Sequence, residues 1–197
     1  MAGDLVIHGF ETSNNLKVRV ALGYKGIPYR FRTIDPMDRQ EVVRLSGQSL
    51  TPVMVHGDVV LFDSAAIMRY LDANFRDTPK LYGDGRETTW PIEGWERFAR
   101  GEMGAPLMDV VKTHLAGESD PAVAERAAAQ FAQLVQRLED ALEDREWLVG
   151  ATMTAADIST ACVIARVQRS GLFPLPESPR VSAWTDRVMA FDRGPDA

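Results

Sequence analysis

Along the first 75 residues the apolar positions fall in short runs between polar turns; from residue 89 onward they recur at three- and four-residue spacing. The first pattern predicts strands and helices in alternation, the second helices alone. Leu5, Val6, Ile7 and Phe10 mark a buried first strand. Residues 11–15, Glu-Thr-Ser-Asn-Asn, are polar and rich in cap-forming side chains, and Leu16, Val18, Val20, Ala21 and Tyr24 then recur at near-helical spacing. Gly26 ends that helix and Pro28 prevents its continuation. Alternation over 29–34 predicts a second strand, so the opening reads β-α-β with right-handed parallel pairing.

Asp35-Pro36 starts a turn, and 39–45 reads as a short helix. Apolar runs at 53–55 and 59–62, separated by His56-Gly57-Asp58, predict a β-hairpin. Pro52 must stand at the start of its strand, because proline has no N–H to give to a sheet ladder. An X-Pro bond is cis at modest cost. A cis bond here would leave the backbone N–H and C=O of Thr51 free to pair with an extended ligand as a further strand would. After Asp63, a helix over 64–74 carries Ala65, Ala66, Ile67, Tyr70 and Leu71. Ser64 at its start would offer a hydroxyl and helix-start N–H groups to a carboxylate. The order β-α-β-α-β-β-α is that of a thioredoxin-like domain, here residues 1–76.

Residues 76–89 are polar and broken by Pro79, Gly83 and Gly85, which places an interdomain linker at 77–88 and a second domain, all helical, at 89–197. Trp90, Trp95, Phe98 and Met103 predict one helix, with a kink or break at Pro106. Pro121 opens the next helix, whose buried stripe reads Val123, Ala127, Phe131, Leu134, Leu138 and Leu142. Thr154 followed by Asp157 is the reciprocal capping pattern, ahead of an apolar helix through Ile158, Ala161, Cys162 and Ala165. Asp157 is thus read as structural and Cys162 as a core thiol, and a last helix is expected over 181–191. Trp90 and Trp95 are read as core or interface, and His56 as solvated.

Composition narrows the function. Hydrophobic residues make up 45% and charged residues 25%, as in a soluble globular protein. A net charge of −6 speaks against a nucleic-acid partner, which a basic face would serve. No apolar run approaches the roughly 18 residues of a membrane span, and the start of the chain lacks a signal-peptide pattern, so the expected location is cytoplasmic. Cys162 is the single cysteine, and His8, His56 and His114 have no ligand-like spacing, so no metal site is expected.

The polar loop at 12–18, the segment from Pro52 to Ser64 with its continuation AAIMRYL, and the Thr154/Asp157 capping box resemble, in that order, the glutathione transferase family. The resemblance spans essentially the whole chain. It implies a thioredoxin-like domain that binds glutathione and a helical domain whose cleft with the first takes a small hydrophobic electrophile. Thr12-Ser13-Asn14-Asn15-Leu16-Lys17-Val18 is similar to the Ser/Thr-type and bacterial classes. Anchored on Lys17-Val18, Thr12 takes the catalytic hydroxyl position and Asn14 the accessory amide, with Ser13 a rival hydroxyl. The loop holds no tyrosine and no cysteine, which disfavours the tyrosine-type and thiol-type classes.

The chemistry needs a hydroxyl because only the thiolate of glutathione is a strong nucleophile. An O–H donated to the sulfur favours the charged form, and the helix N-terminus adds a favourable dipole. By the same resemblance the Thr51 backbone, Pro52, Asp63 and Ser64 hold the tripeptide, and Arg39 or Gln40 reaches its glycyl carboxylate. The implied enzyme is a detoxifying, homodimeric glutathione S-transferase, with Phe62 and the 64–74 helix near the interface. Two alternatives stay open: a non-catalytic interaction module of the same fold, and a glutathione-dependent isomerase, peroxidase or disulfide reductase.

Overall fold

A computed structural model describes residues 4–118 and 120–194. The chain forms two compact units. One runs up to Tyr82 and takes in the segment from Ala190; the other is Gly83–Met189.

The first unit holds a four-stranded sheet. β1 (Leu5–Gly9), β2 (Arg30–Thr33), β3 (Val53–His56) and β4 (Val59–Phe62) lie in the order β2-β1-β3-β4. β1 pairs parallel to β2 and antiparallel to β3, and β3 pairs antiparallel to β4 across a two-residue turn with Gly57 at φ 60°. α1 (Ser13–Lys25) makes the β1–β2 crossover and packs on α3 (Ser64–Asn74). α2 (Gln40–Ser46) contributes Val42 and Leu45 to a cluster with Phe10, Ile34 and Val53. His8 stands opposite Val53 in the β1–β3 ladder, so both face α2, while alternation sends the fully buried Ile7 and Met54 to the other face.

Residues 79–82, inside the stretch read as a linker, are pinned to the first unit. Lys25, 3% exposed, donates from Nζ to Asp72 Oδ1 and to the Pro79 carbonyl, both at 2.8 Å. Asp72 accepts in turn from the Leu81 and Tyr82 N–H groups, and Leu81 is fully buried. His56 also departs from expectation. It ends β3, contacts the Tyr70 hydroxyl through Nδ1 at 2.9 Å and stacks on Phe75. The side chain completes the end of the sheet.

The second unit is built from helices among its described residues: α4 (Arg86–Phe98), α5 (Gly104–Leu115), α6 (Pro121–Ala141), α7 (Ala155–Ser170) and α8 (Pro179–Met189). α4 runs into α5 through a π-helical segment, Ala99–Met103, with right-handed helical dihedrals on both sides. The irregularity therefore lies just ahead of Pro106, whose missing N–H and ring disturb the ladder of the turn before it. In α6 the buried face is Ala127, Phe131, Val135 and Leu138. Val135, four residues after Phe131, is buried where Leu134 was expected; Leu134, three residues after Phe131, lies on the same side of the helix and is half-buried. Trp90 is 63% exposed, contrary to a core role.

α7 is the core helix. Twelve of its sixteen residues are buried, Cys162 among them. Its capping box is complete: Thr154 Oγ1 accepts from Ala156 N–H, and Asp157 Oδ2 accepts from Thr154 N–H at 2.9 Å. Asp157 Oδ1 accepts further from Leu148 N–H at 2.8 Å and Trp184 Nε1–H at 3.0 Å. Burial pushes the Asp157 carboxyl above its ordinary range, against hydrogen bonds that favour its charge. One carboxylate thus joins the loop before α7, the helix start and α8.

Candidate active site

Three loops of the first unit carry the polar groups singled out above, and hydrogen bonds tie them together. The first follows β1. Thr12 adopts an extended backbone, φ −139° and ψ 160°, and caps α1. Its Oγ1 accepts from the Asn15 N–H at 3.2 Å and from Asn15 Nδ2 at 2.8 Å. Thr12 remains partly exposed, as does Ser13 at the first helical position. α1 has no acidic residue in its first turn, so the positive end of its dipole faces no fixed negative charge within that turn.

The second loop leads into β3. Arg39 donates to the Pro36 carbonyl at 2.9 Å and to the Ser49 carbonyl at 3.1 Å, and its guanidinium lies over the Phe10 ring. Gln48 Nε2 donates to Ser46 Oγ and to the Leu50 carbonyl. These contacts shape residues 46–50 ahead of Thr51-Pro52, whose peptide bond is cis. Thr51 Oγ1 accepts from Asn15 Nδ2 at 2.9 Å, which ties this loop to the first. The Gln40 N–H bonds to Asp38 Oδ1, and Gln40 is exposed at the start of α2.

The third is the step into α3. Asp63 has φ 74° and ψ 118°, a conformation outside the usual regions for a residue with a side chain. Its Oδ1 accepts from the Ala65 and Ala66 N–H groups at 2.9 and 3.0 Å, so the unusual backbone is held by the cap it makes. Ser64, mostly buried, donates to Asn14 Oδ1 at 3.4 Å, and Lys17 Nζ donates to the same oxygen at 3.0 Å. Asn14 therefore bridges the starts of α1 and α3 with a buried ammonium beside it.

The loops thus present a hydroxyl at a helix N-terminus, a Thr–cis-Pro segment and an acidic-Ser step, joined through two neighbouring asparagines. Residues 7–79 match the family description "Glutathione S-transferase, N-terminal domain", and residues 98–192 match "Glutathione S-transferase, C-terminal domain". Human glutathione S-transferase theta-2 is 30% identical over 176 residues, covering 84% of this chain and 72% of that protein. The chain belongs to the glutathione S-transferase family. Arabidopsis thaliana glutathione S-transferase F10 is 26% identical and covers 93% of this chain and 91% of its own. A crystal structure of a glutathione S-transferase from Rhodospirillum rubrum superposes with a TM-score of 0.85 at 20% identity, covering 96% of this chain and 90% of that one.

Within that transferase fold, motif reading misses two residues that hold the loops in place. Asn15 is fully buried and contacts two of the candidate groups. Gly9 makes room for it: a β-carbon there would lie 1.8 Å from Asn15 Oδ1. The available signal is the second asparagine itself, a poor helix former placed two residues into a helix without being its cap.

Proposed function

We propose that this chain catalyses attack of the glutathione thiolate on a small hydrophobic electrophile, with Thr12 as the group that stabilises the sulfur anion. The observation that carries this is the shared Asn15 amide, which sets the partly exposed Thr12 hydroxyl beside the Thr51–Pro52 segment. The thiol proton leaves to solvent. The Thr12 O–H donates to the resulting anion, and the N–H groups of the first α1 turn favour its charge. The sulfur then forms a bond to the electrophilic carbon as the leaving group departs with the bonding pair; with an aryl chloride that group is chloride.

The tripeptide lies along the three loops. Backbone groups of Thr51 pair with its cysteinyl segment in the manner of an added strand. Asp63 meets the γ-glutamyl ammonium, and Ser64 meets its carboxylate. Asn14 supports Ser64 from the side. Arg39 already serves two carbonyls, which makes the exposed Gln40 amide the readier partner for the glycyl carboxylate. Reduced glutathione as co-substrate implies the cytoplasm, and no helix among the described residues is long and apolar enough to cross a membrane. A homodimer is supported by β4, an edge strand that exposes Val59, Val60 and Phe62.

The test has two parts. The wild-type protein should be retained on immobilised glutathione and released by free glutathione, and Ser64→Ala should flow through. Turnover of chlorodinitrobenzene should fall about a hundredfold in Thr12→Ala and change little in Ser13→Ala. Full activity in both variants would remove the mechanism.

A further inference from the structure

Asn15 carries more than packing. Its side chain has no exposed surface, and its Oδ1 has no hydrogen-bond partner. A buried amide left half satisfied costs stability unless something is gained elsewhere. The gain lies at Nδ2, whose two protons go to two different hydroxyls, Thr12 Oγ1 at 2.8 Å and Thr51 Oγ1 at 2.9 Å. Thr12 Oγ1 also receives the Asn15 N–H at 3.2 Å.

A threonine hydroxyl has two lone pairs and one proton. In Thr12 both lone pairs are met by N–H donors from a single residue. The hydroxyl therefore cannot turn its proton back toward Asn15. It is held as a donor to whatever acceptor meets its exposed side, and the two N–H groups polarise it in that sense. The same amide fixes the distance between this hydroxyl and the Thr51–Pro52 loop.

We propose that Asn15 is a positioning residue of the site: its amide locks Thr12 as an outward donor to the glutathione sulfur and couples that donor to the Thr51 loop. This rests on the reading of Thr12 given above. Gly9 is part of the arrangement, since any larger residue would displace Oδ1. Asn14, its neighbour, acts on Ser64 and has no part in this coupling.

The experiment compares wild type, Thr12→Ala, Asn15→Ala and Asn15→Asp. It measures the pH dependence of kcat/KM with chlorodinitrobenzene and the ultraviolet thiolate absorbance of bound glutathione. Aspartate keeps the shape of asparagine but offers only acceptors, so it draws the Thr12 proton inward. In both Asn15 variants the acidic limb of the profile should move up by about one pH unit, with activity on that limb about tenfold lower. Glutathione KM should change by less than that. Thermal melts identify any variant that fails to fold; if Asn15→Asp does, Asn15→Ala decides, because it keeps the backbone cap. A shifted Thr12→Ala beside an unshifted Asn15→Ala would overturn the role of Asn15 and leave Thr12 standing. An unshifted Thr12→Ala would overturn both.

Discussion

Gly23 in α1 lies so close to Phe191 that a β-carbon on it would come within 1.9 Å of the Phe191 carbonyl oxygen. The segment after α8 thus crosses the helix that starts at the candidate site. Tyr24 meets the Phe191 ring edge to face at 5.2 Å, and the Tyr29 hydroxyl donates to the Gly194 carbonyl. Arg19, 3% exposed, donates twice to Asp192, each time at 2.8 Å, and once to Glu11. Burial opposes the charge of Arg19, but the Asp192 pair outweighs it and holds the guanidinium above its ordinary pKa. Asp192→Ala leaves a buried guanidinium with its weaker partner. It should destabilise the protein by about 3 kcal/mol, read as a lower urea midpoint at unchanged slope. Gly23→Ala should loosen the same segment, so that proteolysis cleaves near 190 sooner than in wild type.

Asp157 joins four donors with one carboxylate. Removing it orphans the Trp184 indole N–H and the Leu148 and Thr154 N–H groups together. Asp157→Ala should cost about 3 kcal/mol or more, since each buried unsatisfied group costs about 1–3 kcal/mol. Asp157→Asn should recover only part, because its NH₂ cannot accept. Chemical denaturation of the three proteins side by side checks the order.

His8 predicts a pH dependence. It is buried between β1 and α2, and its Nδ1 lies 3.5 Å from Glu41. Desolvation lowers its pKa below the ordinary 6.5; Glu41 opposes this, while Arg32 and Arg44 add to it. The unfolded chain therefore binds a proton at higher pH than the folded one. The contribution of His8 to stability is present above the unfolded pKa and is lost as pH falls through the folded one. Wild type should lose denaturant resistance between about pH 7 and 5; His8→Leu should lose less across the same window. Parallel slopes would contradict this role.

Phe62 is 48% exposed at the end of the edge strand β4. If two copies pair there, Phe62→Lys should move the equilibrium toward monomer by about tenfold or more in dissociation constant. Sedimentation equilibrium reads this directly, and an unchanged mass distribution would place the interface elsewhere.

Local motifs were enough to read several elements. The Gly57 turn between two β-branched runs, the Thr154 cap, and Pro121 at a first helical position each act within four residues, so each is visible in one short window; at the start of α3 the cap is Asp63 rather than the Ser64 expected. The polar loop after β1 and the Thr-Pro step are legible for the same reason. Asn15 is not. Its partner Thr51 lies 36 residues away, and its burial depends on Gly9 at the end of the neighbouring strand. Lys25 likewise becomes intelligible only beside Asp72 and Pro79, and Arg19 only beside Asp192.

By itself the sequence determined the order of elements, the strong helix caps, and which segments carry hydroxyls, amides and carboxylates. Those properties follow from backbone sterics and side-chain spacing over a few residues. Tertiary structure alone decided which polar groups meet: that one buried amide serves both Thr12 and Thr51, and that the segment after α8 returns to α1. Hydrogen bonds require atoms to converge within about 3 Å, and convergence between distant residues is set by how sheet and helices pack.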